Sequence, residues 1–203
     1  MLDDVYRKSQ AIRYIGDRNN ANTDSALVPT QRSLIYNELS SALYKKFFLN
    51  REEREAMKDG YIYIHDRSAR LDTMNCCLFD MENVLTGGFE MGNVWYNEPK
   101  TLDVAFDVIS DVAISAAACQ YGGFTIPEVD KILAPYAEKS YQKYFEEYTE
   151  IQIYNNLSDH EDVLTAADEY AVKKVQRDME QGFQSWEYRF NTVGSSRGDY
   201  PFI

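Results

Sequence analysis

Helical periodicity in the C-terminal half of the chain is the feature that most restricts its fold. Between residues 159 and 190 an apolar residue recurs at every third or fourth position, the spacing of one face of an α-helix. Similar stripes predict helices over about 99–119 and 127–148, and a fourth from about residue 25 to 47. The stripe predicted to be buried in the helix at 99–119 consists of Leu102, Ala105, Phe106, Ile109, Val112, Ala113 and Ala116.

The composition limits the classes of function. The chain has 203 residues, with 21 basic and 33 acidic side chains and a formal net charge of −12. Hydrophobic residues make up 44%, which is enough for a packed core and excludes global disorder. The acidic balance argues against nucleic acid as a main partner and against an anionic membrane surface, because both present negative charge.

Cysteine usage and the absence of long apolar runs bear on location. No run approaches 18 consecutive apolar residues, and the N-terminus lacks a basic segment followed by an apolar one. We therefore expect neither a transmembrane helix nor a signal peptide. Three cysteines, two of them adjacent, form no disulfide framework, so a cytoplasmic protein is expected. With two histidines and no Cys-x-x-Cys pair, no zinc site is expected in this chain.

Two signals predict local structure in the N-terminal half. Asn50 is placed to cap a short helix over 51–57, with Glu53 at the third helical position as in a capping box. Gly60 is expected to end that helix. The run at 61–64, Tyr-Ile-Tyr-Ile, is the clearest predicted strand, because it is rich in β-branched and aromatic residues after a glycine.

The remaining segments define the expected domain organisation. Residues 1–21 are expected to be a loosely held N-terminal segment, and 22–203 a partial catalytic domain. Residues 74–85 fit a helix or a strand equally well, and 86–93 are predicted to be loop apart from Glu90. The polar, glycine-rich stretch at 191–203 stops as an apolar strand begins, so we expect further protein after it.

The adjacent cysteines Cys76 and Cys77 are the first candidates for chemistry. Neighbouring side chains diverge on either a strand or a helix, so at most one thiol faces a given cavity. Packing is the simplest role for each of them. The nearby carboxylates of Asp72 and Asp80 disfavour a thiolate nucleophile and leave open hydrogen-atom or radical chemistry, which uses the neutral thiol.

A second candidate group follows the predicted strand. Asp66 is placed to orient His65 as in an acid–base pair, although a structural histidine beside a turn-forming aspartate is the simpler interpretation of these two residues alone. Arg67 and Arg70 are the natural anion binders nearby, because a guanidinium group matches phosphate geometry.

Two glycine-rich loops, at 121–125 and 194–198, expose backbone N–H groups that can bind phosphate or sugar. Neither loop matches the P-loop or the dinucleotide-binding pattern, and each is also compatible with a simple turn.

Six motifs, taken in order, resemble anaerobic (class III) ribonucleoside-triphosphate reductases over roughly residues 22–203. They are YIHD at 63–66 with NCCLFDM at 75–81, GGFEMGN at 87–93 with PKT at 99–101, YGGFTIP at 121–127, DKILAPY at 130–136, FQSWEY at 183–188, and NTV at 191–193 with PF at 201–202.

The resemblance implies a fold and a chemistry. It implies an α/β, helix-rich fragment that forms the first half of a ten-stranded α/β barrel of the glycyl radical enzyme type. The family reduces ribonucleoside triphosphates through a glycyl radical and a finger-loop cysteine, and a second cysteine supplies a hydrogen atom. The helices at about 99–148 are implied to serve dimerisation and the binding of dNTP or ATP effectors, so a homodimer is expected.

The same resemblance assigns roles to individual residues. By its position in the Asn-Cys motif, Cys76 is the implied catalytic hydrogen donor and Cys77 its packing neighbour. His65 and Asn75 are implied to lie near the substrate. Ser195 and Ser196 are the implied ribose or phosphate contacts, and Asn191 is a further implied substrate-binding residue.

The chain departs from the family pattern, because it contains no glycyl-radical motif, no finger cysteine and no C-terminal zinc cysteines. We expect the glycyl radical and zinc in a C-terminal part or separate chain, and S-adenosylmethionine with an iron–sulfur cluster in a separate radical activase. No cofactor is expected in this chain, and alone it is expected to be inactive. Two alternatives remain open: a non-catalytic relative that binds dNTP or dimerises, and a fragment of a pyruvate formate-lyase-like glycyl radical enzyme.

Overall fold

The structure is a computed structural model that describes residues 2–15, 28–65, 67–70, 76–120, 122–154 and 160–193. Helices dominate these residues, and their strands form two two-stranded sheets, β1 with β4 and β2 with β3. The helix-rich α/β prediction is therefore confirmed, and the barrel stays a prediction. None of the described helices has an apolar stretch long enough to cross a lipid bilayer.

Helices and short strands follow one another along the described parts of the chain. They are α1 (Leu2–Ile15), α2 (Val28–Phe47), α3 (Arg51–Lys58), the 3-10 helix η1 (Arg67–Arg70), β1 (Cys77–Leu78), α4 (Met81–Leu85), β2 (Phe89–Met91), β3 (Val94–Tyr96), α5 (Leu102–Ala118), β4 (Phe124–Thr125), α6 (Val129–Tyr154) and α7 (His160–Thr192).

The chain divides into two compact units. The first unit comprises Met1–Cys77, Ala113–Thr125 and Phe190–Ile203, and the second comprises Leu78–Val112 and Ile126–Arg189. The division of the chain at residue 21 that the sequence suggested is a different one and stays a prediction.

In the first unit, the N-terminal segment predicted to be loosely held is helical over Leu2–Ile15. Asp3 and Asp4 lie in the first turn of α1, where negative charge is favourable at a helix N-terminus. The helix packs on α2, and the Lys8 ammonium lies 2.8 Å from the Glu38 carboxylate. Because this ion pair is solvent-exposed, it contributes less than packing does.

The predicted helix from about residue 25 is confirmed as α2, but its apolar stripe is only partly covered. Ile35, Leu39 and Phe47 are exposed, whereas Thr30 and Ser40 are buried. Packing of α1 and η1 on α2 leaves these apolar side chains in contact with solvent. Helical periodicity therefore predicted the helix correctly but not which of its faces is buried.

The capping box of α3 is confirmed. Asn50 Oδ1 accepts from the Glu53 N–H at 2.9 Å, and a Glu53 carboxylate oxygen accepts from the Asn50 N–H at 2.8 Å. Gly60 follows the helix with φ of +82°, a conformation that glycine adopts without strain.

The strand predicted at 61–64 is wrong. The N–H groups of Tyr61 and Ile62 bond back to the carbonyl of Ala56, at the end of α3. Strand propensity needs a neighbouring strand to supply ladder hydrogen bonds. Among the described residues none pairs with this run, so it remains an extended connection.

The loop predicted at 86–93 is wrong at Phe89 and Met91, which lie in the first strand of a β-hairpin, and is confirmed at Gly92 and Asn93, which form its turn. Phe89 pairs with Tyr96, and Met91 pairs with Val94. The turn between the strands has positive φ at both Gly92 (60°) and Asn93 (63°), as a two-residue hairpin requires.

The predicted helices 99–119, 127–148 and 159–190 are confirmed as α5, α6 and α7, with bounds shifted by up to six residues. The α5 stripe is buried as predicted, apart from the half-buried Ala116. The Leu102 N–H donates to Ser140 Oγ at 2.8 Å, which joins α5 to α6 in the core. Trp186 Nε1 donates to the Phe106 carbonyl at 2.9 Å, which joins α7 to α5.

Candidate functional site

The structure places the adjacent cysteines in different environments. Cys77 begins β1, and its N–H donates to the Gly123 carbonyl at 3.1 Å, directly before β4. Its side chain is half-buried, while that of Cys76, one residue earlier, is exposed. Because neighbouring side chains of an extended segment point to opposite sides, holding Cys77 against β4 turns Cys76 outwards.

A buried glutamine holds the Cys77 thiol. Gln120 Nε2 donates to Cys77 Sγ, and the Gln120 side chain is only 5% exposed. Its Oε1 is buried and has no hydrogen-bond partner within the described residues. Sequence analysis missed Gln120. The sequence feature that could have identified Gln120 is its position directly before the glycine-rich loop that pairs with β1.

Cys76 is the only predicted catalytic residue, and its exposure leaves its thiol accessible. A wall of bulky side chains around its sulfur would have ended the hydrogen-donor hypothesis. The exposed side chain removes that objection and leaves the role itself a prediction.

His65 is exposed and lies in a connection without helix or strand, between α3 and η1. The Arg67 guanidinium reaches back across it, and its Nη1 donates to the Ile64 carbonyl at 3.2 Å. Asp66 and the Arg70 side chain lie outside the described residues, so the proposed acid–base pair stays a prediction.

The other predicted substrate contacts are only partly described. Asn191 is exposed in the last turn of α7, whereas Asn75, Ser195 and Ser196 lie outside the described residues. His65, Cys76 and Asn191 all belong to the first unit. The structure thus assigns three predicted site residues, which are distant in sequence, to one compact body.

The glycine-rich loop at 121–125 has a structural role. The Gly123 carbonyl accepts the bond from Cys77, and Phe124 follows as a fully buried side chain of β4. This loop therefore fixes the position of the cysteine segment. The loop at 194–198 lies outside the described residues.

A cavity of about 200 Å³ lies in the second unit, next to the end of β1. Asp80, Glu82 and Glu128 line it, and the ammonium group of Lys131, which also lines it, pairs with Glu128. Asp80 also caps α4, because its Oδ1 accepts from the Asn83 N–H at 3.1 Å. This acidic lining is unfavourable for a nucleotide phosphate.

Among the described residues, no group of three or more histidine, cysteine, aspartate or glutamate side chains is arranged to hold a metal ion. The ionisable side chains whose pKa values are displaced lie in the second unit. Burial and a hydrogen bond to Asp178 raise the pKa of Tyr144, and a hydrogen bond to Asp168 raises that of Tyr141. Both tyrosines join α6 to α7, which indicates a packing role.

A family model and individual relatives identify the same protein family. The family model described as anaerobic ribonucleoside-triphosphate reductase matches residues 19–203. The chain is 36% identical over 189 residues to the anaerobic ribonucleoside-triphosphate reductase of Enterobacteria phage T4, covering 91% of this chain and 29% of that protein. It is 33% identical over 186 residues to the proteins of the same name from Salmonella typhimurium and Escherichia coli K12, covering 91% of this chain and 25% of each relative. The chain therefore spans less than a third of the length of these relatives.

Proposed function

Because the chain belongs to the anaerobic ribonucleoside-triphosphate reductase family, we propose that it forms the N-terminal catalytic part of an enzyme that converts ribonucleoside triphosphates to deoxyribonucleotides. Membership confirms the resemblance that the six motifs predicted. In this proposal the described residues contribute to the first half of a ten-stranded α/β barrel, and the remaining strands come from protein beyond this chain.

Cys76 is the residue that we propose takes part in the reaction. The S–H bond of its neutral thiol breaks, the hydrogen atom forms a bond with a carbon atom of a ribose radical, and the thiyl radical left on Cys76 is returned to the thiol by an external reductant, formate or a redoxin. This role requires an accessible sulfur next to the bound nucleotide. The observation that supports the proposal is that the two cysteines have different environments. Cys77 is held by Gly123 and Gln120, while Cys76 is exposed.

We propose that His65, Asn75, Asn191, Ser195 and Ser196 surround the substrate. Exposure of His65 and Asn191 in the same unit as Cys76 supports a common site. Amide, hydroxyl and imidazole groups suit a ribose, because they donate and accept hydrogen bonds without adding negative charge.

The proposal includes partners outside this chain. A glycyl radical in the remaining part supplies the unpaired electron, and a radical activase with S-adenosylmethionine and an iron–sulfur cluster generates it. Zinc is assigned to the C-terminal part as well. Helices α5 and α6 are proposed to contribute to a homodimer that binds dNTP or ATP effectors, and this chain alone is proposed to be inactive.

The test compares two serine variants in the complete enzyme, with its C-terminal part and its activase, under anaerobic conditions. Deoxyribonucleotide formation is expected to be abolished by Cys76→Ser and retained by Cys77→Ser. The adjacent position is a matched control, because both variants replace one sulfur with oxygen. Equal loss of activity in both would contradict the proposal and favour the lyase-like alternative, in which adjacent cysteines both act.

A further inference from the structure

We propose that a cationic cavity in the first unit, between α2, α3 and the segment leading into η1, binds an oligophosphate anion such as the phosphate chain of a nucleotide. The cavity has a volume of about 410 Å³, and its charged lining residues are Lys45, Arg54, Lys58 and Arg67. None of the residues assigned above to the reductase reaction lines it. We call it the cationic cavity.

The cationic cavity is positively charged, although the chain as a whole is negatively charged. The chain has a formal net charge of −12, yet the described lining of this cavity has four cationic residues and no acidic one. Like charges placed together repel one another, and an anion bound among them would relieve this repulsion. The clustering therefore indicates an anionic ligand.

Nearby carboxylates do not neutralise these cations. Glu53 is engaged in the capping box with Asn50, and Glu55 pairs with Arg51 at 2.8 Å. Within the described part of the chain, no ion pair forms to any of the four cations that line the cavity.

The Arg67 guanidinium has an unsatisfied hydrogen-bond donor. Its Nε is buried and has no hydrogen-bond partner among the described residues, although Nη1 donates to the Ile64 carbonyl. A buried donor without a partner costs about 1–3 kcal/mol, so native structures rarely leave one unpaired. Arg67 lines the cavity, and the geometry of a guanidinium group matches that of a phosphate.

Backbone carbonyl groups hold Arg54, another lining residue, in place. Arg54 Nη1 donates to the Leu49 carbonyl at 2.8 Å and to the Lys45 carbonyl at 3.3 Å. These bonds fix the guanidinium against the C-terminal end of α2, so little side-chain freedom is lost when an anion binds. Lys45 and Lys58 lie in the last turns of α2 and α3, where helix dipoles favour cations.

The uncharged lining indicates room for more than phosphate. A small-molecule pocket typically measures about 300–1,000 Å³, and the cationic cavity lies within that range. Met57, Ile62 and the exposed Tyr63 add apolar and aromatic surface beside the cations. An aromatic side chain of this kind can stack on a nucleobase.

Isothermal titration calorimetry on the full chain, without substrate turnover, tests the proposal. The ligands are sodium tripolyphosphate, ATP and adenosine. Tripolyphosphate is expected to bind, and its affinity is expected to fall as the salt concentration increases. Adenosine, which has no phosphate, is expected not to bind. Tighter binding of ATP identifies a nucleotide as the ligand, and equal binding identifies the phosphate chain alone. Absence of binding by tripolyphosphate overturns the proposal.

Matched pairs of variants locate the site. Lys45→Gln with Lys58→Gln is expected to weaken tripolyphosphate binding about tenfold, because two lining charges are lost. The control combines Arg32→Gln with Lys46→Gln, which removes the same charge from α2 outside the cavity lining and breaks no ion pair of the described residues. This control is expected to bind within about twofold of the unmodified chain. Equal weakening in both pairs would show non-specific attraction and overturn the proposal, and circular dichroism checks that each variant is folded.

This binding measurement is independent of the reductase proposal. Loss of deoxyribonucleotide formation in Cys76→Ser leaves the cationic cavity intact, and failure of tripolyphosphate to bind leaves the role of Cys76 untouched. The two hypotheses can therefore fail separately.

Discussion

Gln120 and Cys77 lie 43 residues apart in the chain and meet through a hydrogen bond from Nε2 to Sγ. This contact, together with the bond from the Cys77 N–H to Gly123, gives Cys77 a structural position. The neighbouring Cys76 is left exposed. Two residues of the same type thus differ in surroundings because of a partner that is remote in sequence.

The contact predicts a difference in stability between two valine variants. Cys77→Val removes the acceptor of a buried amide and is expected to lower the free energy of unfolding by about 1–3 kcal/mol. Cys76→Val, at an exposed position, is expected to stay within about 0.5 kcal/mol. Urea unfolding of the full chain measures both. Adding Gln120→Leu to Cys77→Val should recover part of the loss, and equal effects of the two valine variants would refute the assigned contact.

Gly182 predicts a steric effect inside α7. A Cβ atom at this position would lie 2.3 Å from Cδ2 of Phe106, far closer than two carbons approach. Gly182→Ala should therefore destabilise the chain by about 1–3 kcal/mol, even though alanine favours helices. Thermal unfolding tests this, with the exposed neighbour variant Gln181→Ala as control. Stabilisation by Gly182→Ala would show that Phe106 moves aside at little cost.

Glu98 predicts a pH dependence in the second unit. Hydrogen bonds from Lys139 and from the Gly87 N–H hold the pKa of Glu98 below its ordinary value of 4.5. Because the folded-state pKa is depressed, the stabilisation is present above the unfolded value and is lost as the pH falls through the folded value. Glu98→Gln should thus be less stable than the unmodified chain near pH 7.

The difference in unfolding free energy between Glu98→Gln and the unmodified chain should shrink as the pH falls below about 4.5. The Glu98 carboxyl group is protonated there in the unfolded state, and at still lower pH it is protonated in the folded state as well. Urea unfolding at a series of pH values measures it. Glu90→Gln, at an exposed position of β2, is the matched control for the loss of one carboxylate. A constant difference for Glu98→Gln across this range would contradict the assigned hydrogen bonds.

The capping box of α3 predicts a substitution pair at Asn50. Asn50→Ala removes the acceptor of the Glu53 N–H and is expected to cost about 1 kcal/mol of unfolding free energy. Asn50→Asp keeps a capping oxygen and should be close to neutral. Chemical denaturation distinguishes the two. Equal losses would mean that the cap does not stabilise α3.

Local signals in the sequence determined the helices and the cap. The α5 stripe and the Asn50–Glu53 box depend on side chains within one or two turns, so the identity and spacing of the residues suffice. The order of six motifs also identified the family correctly. The hairpin at Phe89–Tyr96 had a local signal as well, in its Gly-Asn turn, which the loop prediction overlooked.

Tertiary structure decided what depends on contacts between distant residues. The run at 61–64 has strand composition but remains without a partner strand among the described residues, because pairing is a property of two segments. The stripe of α2 is helical, yet its burial depends on which neighbours cover it. Likewise, the hydrogen bond from Gln120 determines that Cys77, and not Cys76, has a fixed thiol. Folding of α2, α3 and η1 brings cations from residues 45–67 together in one cavity.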